Sequence, residues 1–119
     1  MSKSSPKNRR NSIKRLIESL ADQEPPFSSL GTPFLVDNEV TEVLVGMGQA
    51  AVPALVEALR GRQPKVAMYA AYCLGQMGDL SIVPALLATR EKYLMKEPKE
   101  EYDFGVMSAV DRAIERLQE

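Results

Sequence analysis

The sequence predicts an all-α fold in which about six helices form a short superhelix of antiparallel pairs. Two observations predict it. The segment "LVGMGQAAVPALVEAL" at residues 44–59 is followed by a near copy, "LGQMGDLSIVPALLAT", at residues 74–89. The copies place Gly48 and Gly78 30 residues apart. A period close to 30 residues accommodates two helices, and such repeats stack because one helix pair cannot bury its own apolar face.

The N-terminal segment, residues 1–11, is polar, basic and without helical periodicity, so we expect a disordered arm there. A single domain then occupies residues 12–119. Its first helix is predicted to start at Ser12, which can cap the helix and after which apolar residues recur at helical spacing. That helix ends before Pro25, so residues 12–36 should form an N-terminal helix and a capping loop. The first sixteen residues contain six cations and no acid: Lys3, Lys7, Arg9, Arg10, Lys14 and Arg15.

The first copy of the repeat predicts one helix from about residue 37 to Gly48 and a second helix that begins near Pro53. Glycine ends a helix at low cost because it adopts the left-handed conformation without a Cβ clash. Proline fits the first turn of a helix, where its missing N–H would have no intrahelical partner. The second copy repeats both features with Gly78 and Pro84.

The last predicted helix runs from about Asp103 to Gln118, after the polar interruption "MKEPKEEYD". Its apolar residues recur at the spacing of one helix face. They are Val106, Ala109, Val110, Ala113 and Leu117.

The composition argues against most enzyme classes. There is no histidine, which removes the commonest general base and metal ligand, and the single cysteine, Cys73, excludes an internal disulfide. The sequence contains no apolar run of about 18 residues, so it predicts no membrane span. The basic N-terminus lacks the apolar core of a secretory signal. We therefore expect a cytoplasmic location, no catalytic residue, no metal site and no cofactor, and a non-enzymatic role is favoured.

The pattern "LGxxGD…VPAL" resembles the HEAT-like repeat of the phycobilisome-lyase (PBS lyase) type. The resemblance covers about residues 36–90, and the last helix resembles a third copy of the first helix of the repeat. It implies a solenoid of stacked helix pairs and, for function, a role in attaching or removing bilins on phycobiliproteins. One departure is Ala67, which stands where the family usually has an arginine.

Two candidate binding surfaces follow from this comparison. The resemblance implies that the second helix of each pair lines a concave surface, with the outward residues Ala54, Glu57, Arg60, Ala85, Thr89 and Lys92. The alanines could equally fill a tight solenoid curve. The other surface is an apolar patch on the normally wet side of the first helix of the second copy: Met68, Tyr69, Tyr72 and Gln76. Exposed tyrosine and methionine favour an interface, but residues 23–36 could instead cover this patch.

The sequence therefore favours a non-enzymatic module or scaffold that binds another protein on the concave face or on the Met/Tyr patch. One alternative is a phycobilin lyase-like or phycobilisome-associated accessory protein. A second alternative is nucleic-acid binding through the basic arm, although nucleic acid is a weak candidate because no aromatic residue is interleaved with the cations. Because the stack has few repeats, its two ends must be covered by other parts of the chain or by a second copy. A homodimer is therefore a further alternative.

Overall fold

The computed structural model describes residues 6–31, 33 and 35–118, and for residues 6–11 it describes the backbone alone. These residues form six α-helices, and the described part of the chain contains no β-strand. The helices are α1 (Pro6–Ser19), α2 (Glu39–Gly46), α3 (Val52–Leu59), α4 (Pro64–Met77), α5 (Val83–Met95) and α6 (Glu101–Leu117). The prediction of an all-α fold with about six helices is confirmed.

The helices pack in two layers. Helices α2, α4 and α6 are neighbours in one layer, and α1, α3 and α5 are neighbours in the other. Across the layers α1 packs on α2, α3 on α4 and α5 on α6, which confirms the predicted stack of helix pairs. The pairs that pack across the layers, α3 with α4 and α5 with α6, therefore join helices of consecutive repeats. Within the first repeat, the chain bends by 114° between α2 and the segment Gly48–Leu59.

The N-terminal helix begins earlier than the sequence predicts. Helix α1 starts at Pro6 rather than at Ser12, so residues 6–11 of the expected disordered arm are helical. Proline at the first helical position satisfies the same rule that places prolines at the starts of α3 and α5. Residues 1–5 lie outside the described part of the chain.

The helix boundaries follow from local chemistry. Gly48 and Gly78 have φ values of 63° and 76°, which confirms the left-handed conformation predicted at the two repeat glycines. Asn38 caps α2 by accepting from the backbone N–H of Thr41 at 2.9 Å, and the Thr41 hydroxyl accepts from the Asn38 N–H at 2.9 Å. This reciprocal pair satisfies two donors that a helix start would otherwise leave open.

Helix α4 is the centre of the protein. It presents buried side chains on most of its sides: Val66, Ala67, Met68, Tyr69, Ala70, Ala71, Cys73 and Leu74. It runs close to α6, because a Cβ built on Gly75 would lie 2.8 Å from both Cα and Cβ of Ala113. Glycine therefore allows a backbone approach that alanine would obstruct.

The link between α5 and α6 is fixed by a buried carboxylate. Asp103 is fully buried in the first turn of α6, and it accepts a hydrogen bond from Lys96 Nζ at 2.7 Å and from the Glu100 backbone N–H at 2.8 Å. A buried charge is stable only when it is paired in this way. Asp103 thus ties the polar connection to the helix that follows it.

No single described helix has both the length and the apolar composition needed to cross a membrane. The bent pair Glu39–Gly46 and Gly48–Leu59 meets that test on length and composition together.

Candidate protein-binding surfaces

Two open grooves run side by side along the layer formed by α1, α3 and α5. The first has a volume of about 720 Å³ and lies between α1 and α3. The second has a volume of about 600 Å³ and lies between α3 and α5. Helix α3 forms the shared wall, so the two grooves are adjacent parts of one face.

The structure divides the six residues predicted for the concave surface between these grooves. Ala54 and Glu57 line the first groove. The second groove is lined by the other four predicted residues: Arg60, Ala85, Thr89 and Lys92. Glu57, Arg60 and Lys92 are exposed, whereas Thr89 is buried and donates its hydroxyl to the Ala85 carbonyl at 2.9 Å. Thr89 therefore belongs to the floor and offers no free hydroxyl.

Sequence reasoning missed the wall that α1 contributes. Ile13 and Ile17 line the first groove together with Lys14 and Glu18. The two isoleucines are spaced as neighbours on one helix face, a pattern that predicts burial. They are indeed buried, but they also form the apolar floor at the edge where α1 meets α3. The available signal was the charged residue that directly follows each isoleucine, Lys14 and Glu18.

Lys92 has a structural contact in addition to its place in the groove. Its Nζ donates to the carbonyl oxygens of Arg60 at 3.3 Å and Gly61 at 3.2 Å, at the C-terminus of α3. A cation is favoured there because the last carbonyls of a helix lack intrahelical partners and carry partial negative charge. This contact holds α5 beside α3 and so maintains the width of the second groove.

The grooves differ in charge. The first contains Lys14, Glu18 and Glu57. The second contains Arg60 and Lys92 and no acid among its lining residues. A ligand that fills both grooves would thus meet an acidic excess on one side of α3 and a basic one on the other.

The solvent exposure predicted for Met68 and Tyr69 in the apolar patch is wrong. Both side chains are buried, at 0% and 2% exposed. Helix α6 and Pro33 of the N-terminal connection lie over this part of α4: a Cβ built on Gly105 would meet Met68 Sδ at 2.6 Å and Pro33 Cγ at 2.9 Å. Burial raises the pKa of Tyr69 to about 12, with smaller contributions from Tyr102 and Glu24. These residues belong to the core.

Tyr72 and Gln76, the other two residues of the predicted patch, are half-buried. Tyr72 donates its hydroxyl to Asp37 Oδ1 at 2.5 Å, and burial followed by this hydrogen bond raises its pKa to about 12. It lines a pocket of about 390 Å³ against α6, where Arg112 and Arg116 also lie. Gln76 Nε2 is buried and has no hydrogen-bond partner among the described residues. The patch is therefore reduced to one tethered tyrosine.

Among the basic N-terminal residues, the structure describes the side chains of Lys14 and Arg15 alone. Lys14 and Arg15 are exposed on α1. Lys7, Arg9 and Arg10 lie in the same helix, although their side chains are outside the described atoms, and Lys3 lies outside the described residues.

Cys73 is placed for packing. Its thiol is buried in α4, and burial followed by the nearby Asp37 raises its pKa to about 12. The thiolate is the nucleophile and the metal ligand, so such a shift suppresses both chemistries near neutral pH. In the portion of the chain that the structure covers, no group of three or more cysteine, aspartate or glutamate side chains is arranged to hold a metal ion.

Comparison with known proteins identifies the repeat. Residues 66–89 match the PBS lyase HEAT-like repeat, which confirms the resemblance for the second copy, from the first turn of α4 to the middle of α5. No curated protein and no solved structure gives a significant match to the chain.

Proposed function

We propose that this chain is a non-enzymatic interaction module that binds a segment of another protein along the face formed by α1, α3 and α5. HEAT-like repeats generally serve protein binding, and residues 66–89 match such a repeat. The observation that carries the proposal is the pair of adjacent grooves, of about 720 and 600 Å³, on one face of the stack. Binding sites are typically concave and preformed in this way.

The lining of the grooves suits a chain segment rather than a flat protein surface. Small side chains on α3 and α5 leave room for a backbone to approach: Ala54, Ala58, Ala85 and Ala88. An amphipathic helix with its side chains is about 10–12 Å wide and binds through one apolar face. We expect the bound segment to place small or branched apolar residues over these alanines.

The charges around the grooves set the orientation of the segment. Arg60 and Lys92 favour an acidic residue at the second groove, and Glu18 and Glu57 favour a basic residue at the first. These residues are exposed at the rims, so they should affect specificity and association rate more than affinity.

Selection from a random peptide library, followed by calorimetric measurement of Kd for the selected peptides, tests the proposal. Ala50→Trp and Ala88→Trp would fill the first and second groove from exposed positions. Each should weaken peptide binding by about tenfold or more, a loss of about 1.4 kcal/mol. Ser108→Trp, on the exposed side of α6, is the matched control and should leave Kd unchanged.

The proposal fails if selected peptides bind equally well to both groove-filling variants. It also fails if Ser108→Trp weakens binding as much as they do, because the peptide would then occupy the opposite layer. Circular dichroism on all three variants would establish that each remains folded.

The match of residues 66–89 also favours a second candidate, a role with bilins or bilin-carrying proteins. This role would require the chain to contact the pigment or its protein carrier. Adding the chain to a free bilin and to a phycobiliprotein should then change the visible absorption spectrum. Unchanged spectra in both mixtures would rule this candidate out.

A further inference from the structure

A separate cavity lies in the other layer of the stack, between α4, α6 and the connection before α2. It has a volume of about 390 Å³ and is more enclosed than either groove. Most of its lining residues lie between Gly105 and Arg116 of α6, and we call it the α6 pocket. Small-molecule sites have volumes of about 300–1,000 Å³. The α6 pocket therefore has the size of a site for a small ligand.

Two guanidinium groups, one helical turn apart, stand at the mouth of the α6 pocket. Arg112 and Arg116 both line it, and both are exposed. Neither forms an ion pair with any residue that the structure describes. Asp111, which directly precedes Arg112, is engaged by Arg90 of α5 at 2.7 Å. The two positive charges are thus available to a ligand.

Tyr72 forms the side of the α6 pocket that belongs to α4. Its hydroxyl donates to Asp37 Oδ1 at 2.5 Å, so this carboxylate, which is not among the lining residues, is held at the phenol. Burial and then the hydrogen bond to Asp37 raise the pKa of Tyr72, whereas the charge of Arg116 lowers it. The guanidinium of Arg116 consequently lies near the phenol and faces the cavity from the opposite helix.

The rest of the lining joins an apolar wall to this charged rim. Pro33 and Leu35 of the connection lie on one side of the α6 pocket, and Ala109 of α6 lies at its base. Pro33 and Ala109 are buried, and Leu35 is half-buried. Glu115 is the one acid among the described lining residues, so the two arginines leave the lining positively charged. An apolar wall with a few convergent polar groups is typical of a small-molecule site.

We propose that the α6 pocket binds a small organic anion, whose phosphate or carboxylate group is held by Arg112 and Arg116 and whose apolar part lies against Pro33 and Leu35. A guanidinium donates two parallel hydrogen bonds to a carboxylate or a phosphate, and such charge-assisted bonds are stronger than neutral ones. The site lies in the layer opposite the grooves of α1, α3 and α5, so it goes beyond the proposed peptide binding and does not depend on it.

Titration of the isotope-labelled chain, followed by amide NMR shifts, tests the proposal with three probes: phenyl phosphate, benzoate and the neutral analogue phenol. At least one of the two anions should shift amides of α4 and α6 around the α6 pocket, with a Kd on the order of 1 mM, as expected of a ligand of about ten non-hydrogen atoms. The anion that binds more tightly identifies the group that the arginines recognise. Absence of saturable shifts with both anions, or equal shifts with phenol, would overturn the proposal.

Substitution of the arginines tests which charges hold the anion. Arg112→Gln and Arg116→Gln remove the charge at exposed positions, so the fold should persist, and each should raise Kd by about tenfold. Arg15→Gln is the matched control, because it removes the same charge from an exposed position of α1 outside the α6 pocket, and it should leave Kd unchanged. An unchanged Kd in both pocket variants, or an equal loss in Arg15→Gln, would show that the anion binds elsewhere and would overturn the proposal.

Discussion

Gly75 of α4 and Ala113 of α6 lie so close that a methyl group on the glycine would be 2.8 Å from both Cα and Cβ of the alanine. Both residues are buried, and neither backbone can move without disturbing the core around it. The contact fixes the separation between α4, which carries Met68 and Tyr69, and α6, which packs over Met68. It is therefore one of the places where a single methyl group should alter the fold.

Gly75→Ala should lower the free energy of unfolding by about 1–3 kcal/mol, because overpacking against a backbone has no easy relief. Gly105→Ala is the comparison, since its Cβ would meet Met68 Sδ at 2.6 Å and Pro33 Cγ at 2.9 Å, which are side-chain atoms and not backbone. Alanine favours a helix over glycine by about 1 kcal/mol at both positions, so the difference between the two variants reports on the contacts. Gly105→Ala should cost less than Gly75→Ala, because the side chain of Met68 can yield more readily than the Ala113 backbone. Urea denaturation measures both, and the reverse order would show that α6 can shift away from α4.

Gly78→Ala should destabilise the protein by about 1 kcal/mol, because Gly78 has a φ of 76° and an L side chain is strained there. Gly46→Ala is the matched control. Gly46 lies within α2 at an ordinary negative φ, and an added Cβ would meet nothing within 4 Å. That variant should be stabilised by up to about 1 kcal/mol. Thermal unfolding of the pair would contradict the assignment if both midpoints moved in the same direction.

A comparison of Asp103 with Asp111 separates the effect of burial on the stability of an ion pair from the effect of its distance. Each accepts from a cation at 2.7 Å, Asp103 from Lys96 and Asp111 from Arg90, but Asp103 is fully buried whereas Asp111 is exposed. Asp103→Ala should cost about 2–3 kcal/mol, because it leaves Lys96 and the Glu100 N–H without their acceptor. Asp111→Ala should cost less than about 1 kcal/mol. Equal losses in urea denaturation would argue that Asp103 is solvated in solution.

Alkaline pH should destabilise the fold through Cys73. Its pKa is raised from 9.0 to about 12, so the folded protein keeps a proton that the unfolded chain releases. Stability is then full well below pH 9 and falls as the pH rises from about 9 towards 12, by up to about 1.4 kcal/mol per pH unit for one group. Tyr69 and Tyr72 add to the fall above about pH 10.

Urea denaturation at pH 7, 8, 9 and 10 checks this, with Cys73→Ala as the comparison. The variant should lose less stability between pH 9 and 10 than the unaltered chain, whatever its stability at pH 7. A thiol-reactive dye should also label Cys73 only after unfolding. Rapid labelling of the folded protein, or parallel pH profiles, would contradict the burial of this thiol.

The helix starts and ends within the repeats could be predicted because they depend on residues that are neighbours in sequence. Gly48, Gly78 and the two repeat prolines act through their own backbone conformations, and the structure places them as expected. Helix α1 begins six residues before the predicted start, because Pro6 starts the helix in a polar segment that has no apolar periodicity to indicate one.

The Met68 and Tyr69 surface could not be predicted in the same way. Whether a helix face is wet depends on what packs against it, and here that is α6 together with Pro33, both distant in sequence. Gly105, a glycine inside a predicted helix, was the one local sign of a close approach. The grooves fall between these cases: their residues were predicted from the repeat, but the contribution of α1 required its position beside α3.

The position of helix α4 also determines how the protein unfolds. Most repeat stacks can fray from one end, since each unit touches only its neighbours. Here one segment packs against α2, α3 and α6 and meets α1 as well, so detaching any of these exposes its apolar side chains. Amide protons of α4 should consequently exchange with solvent only at the rate of global unfolding, and the domain should behave as one cooperative unit.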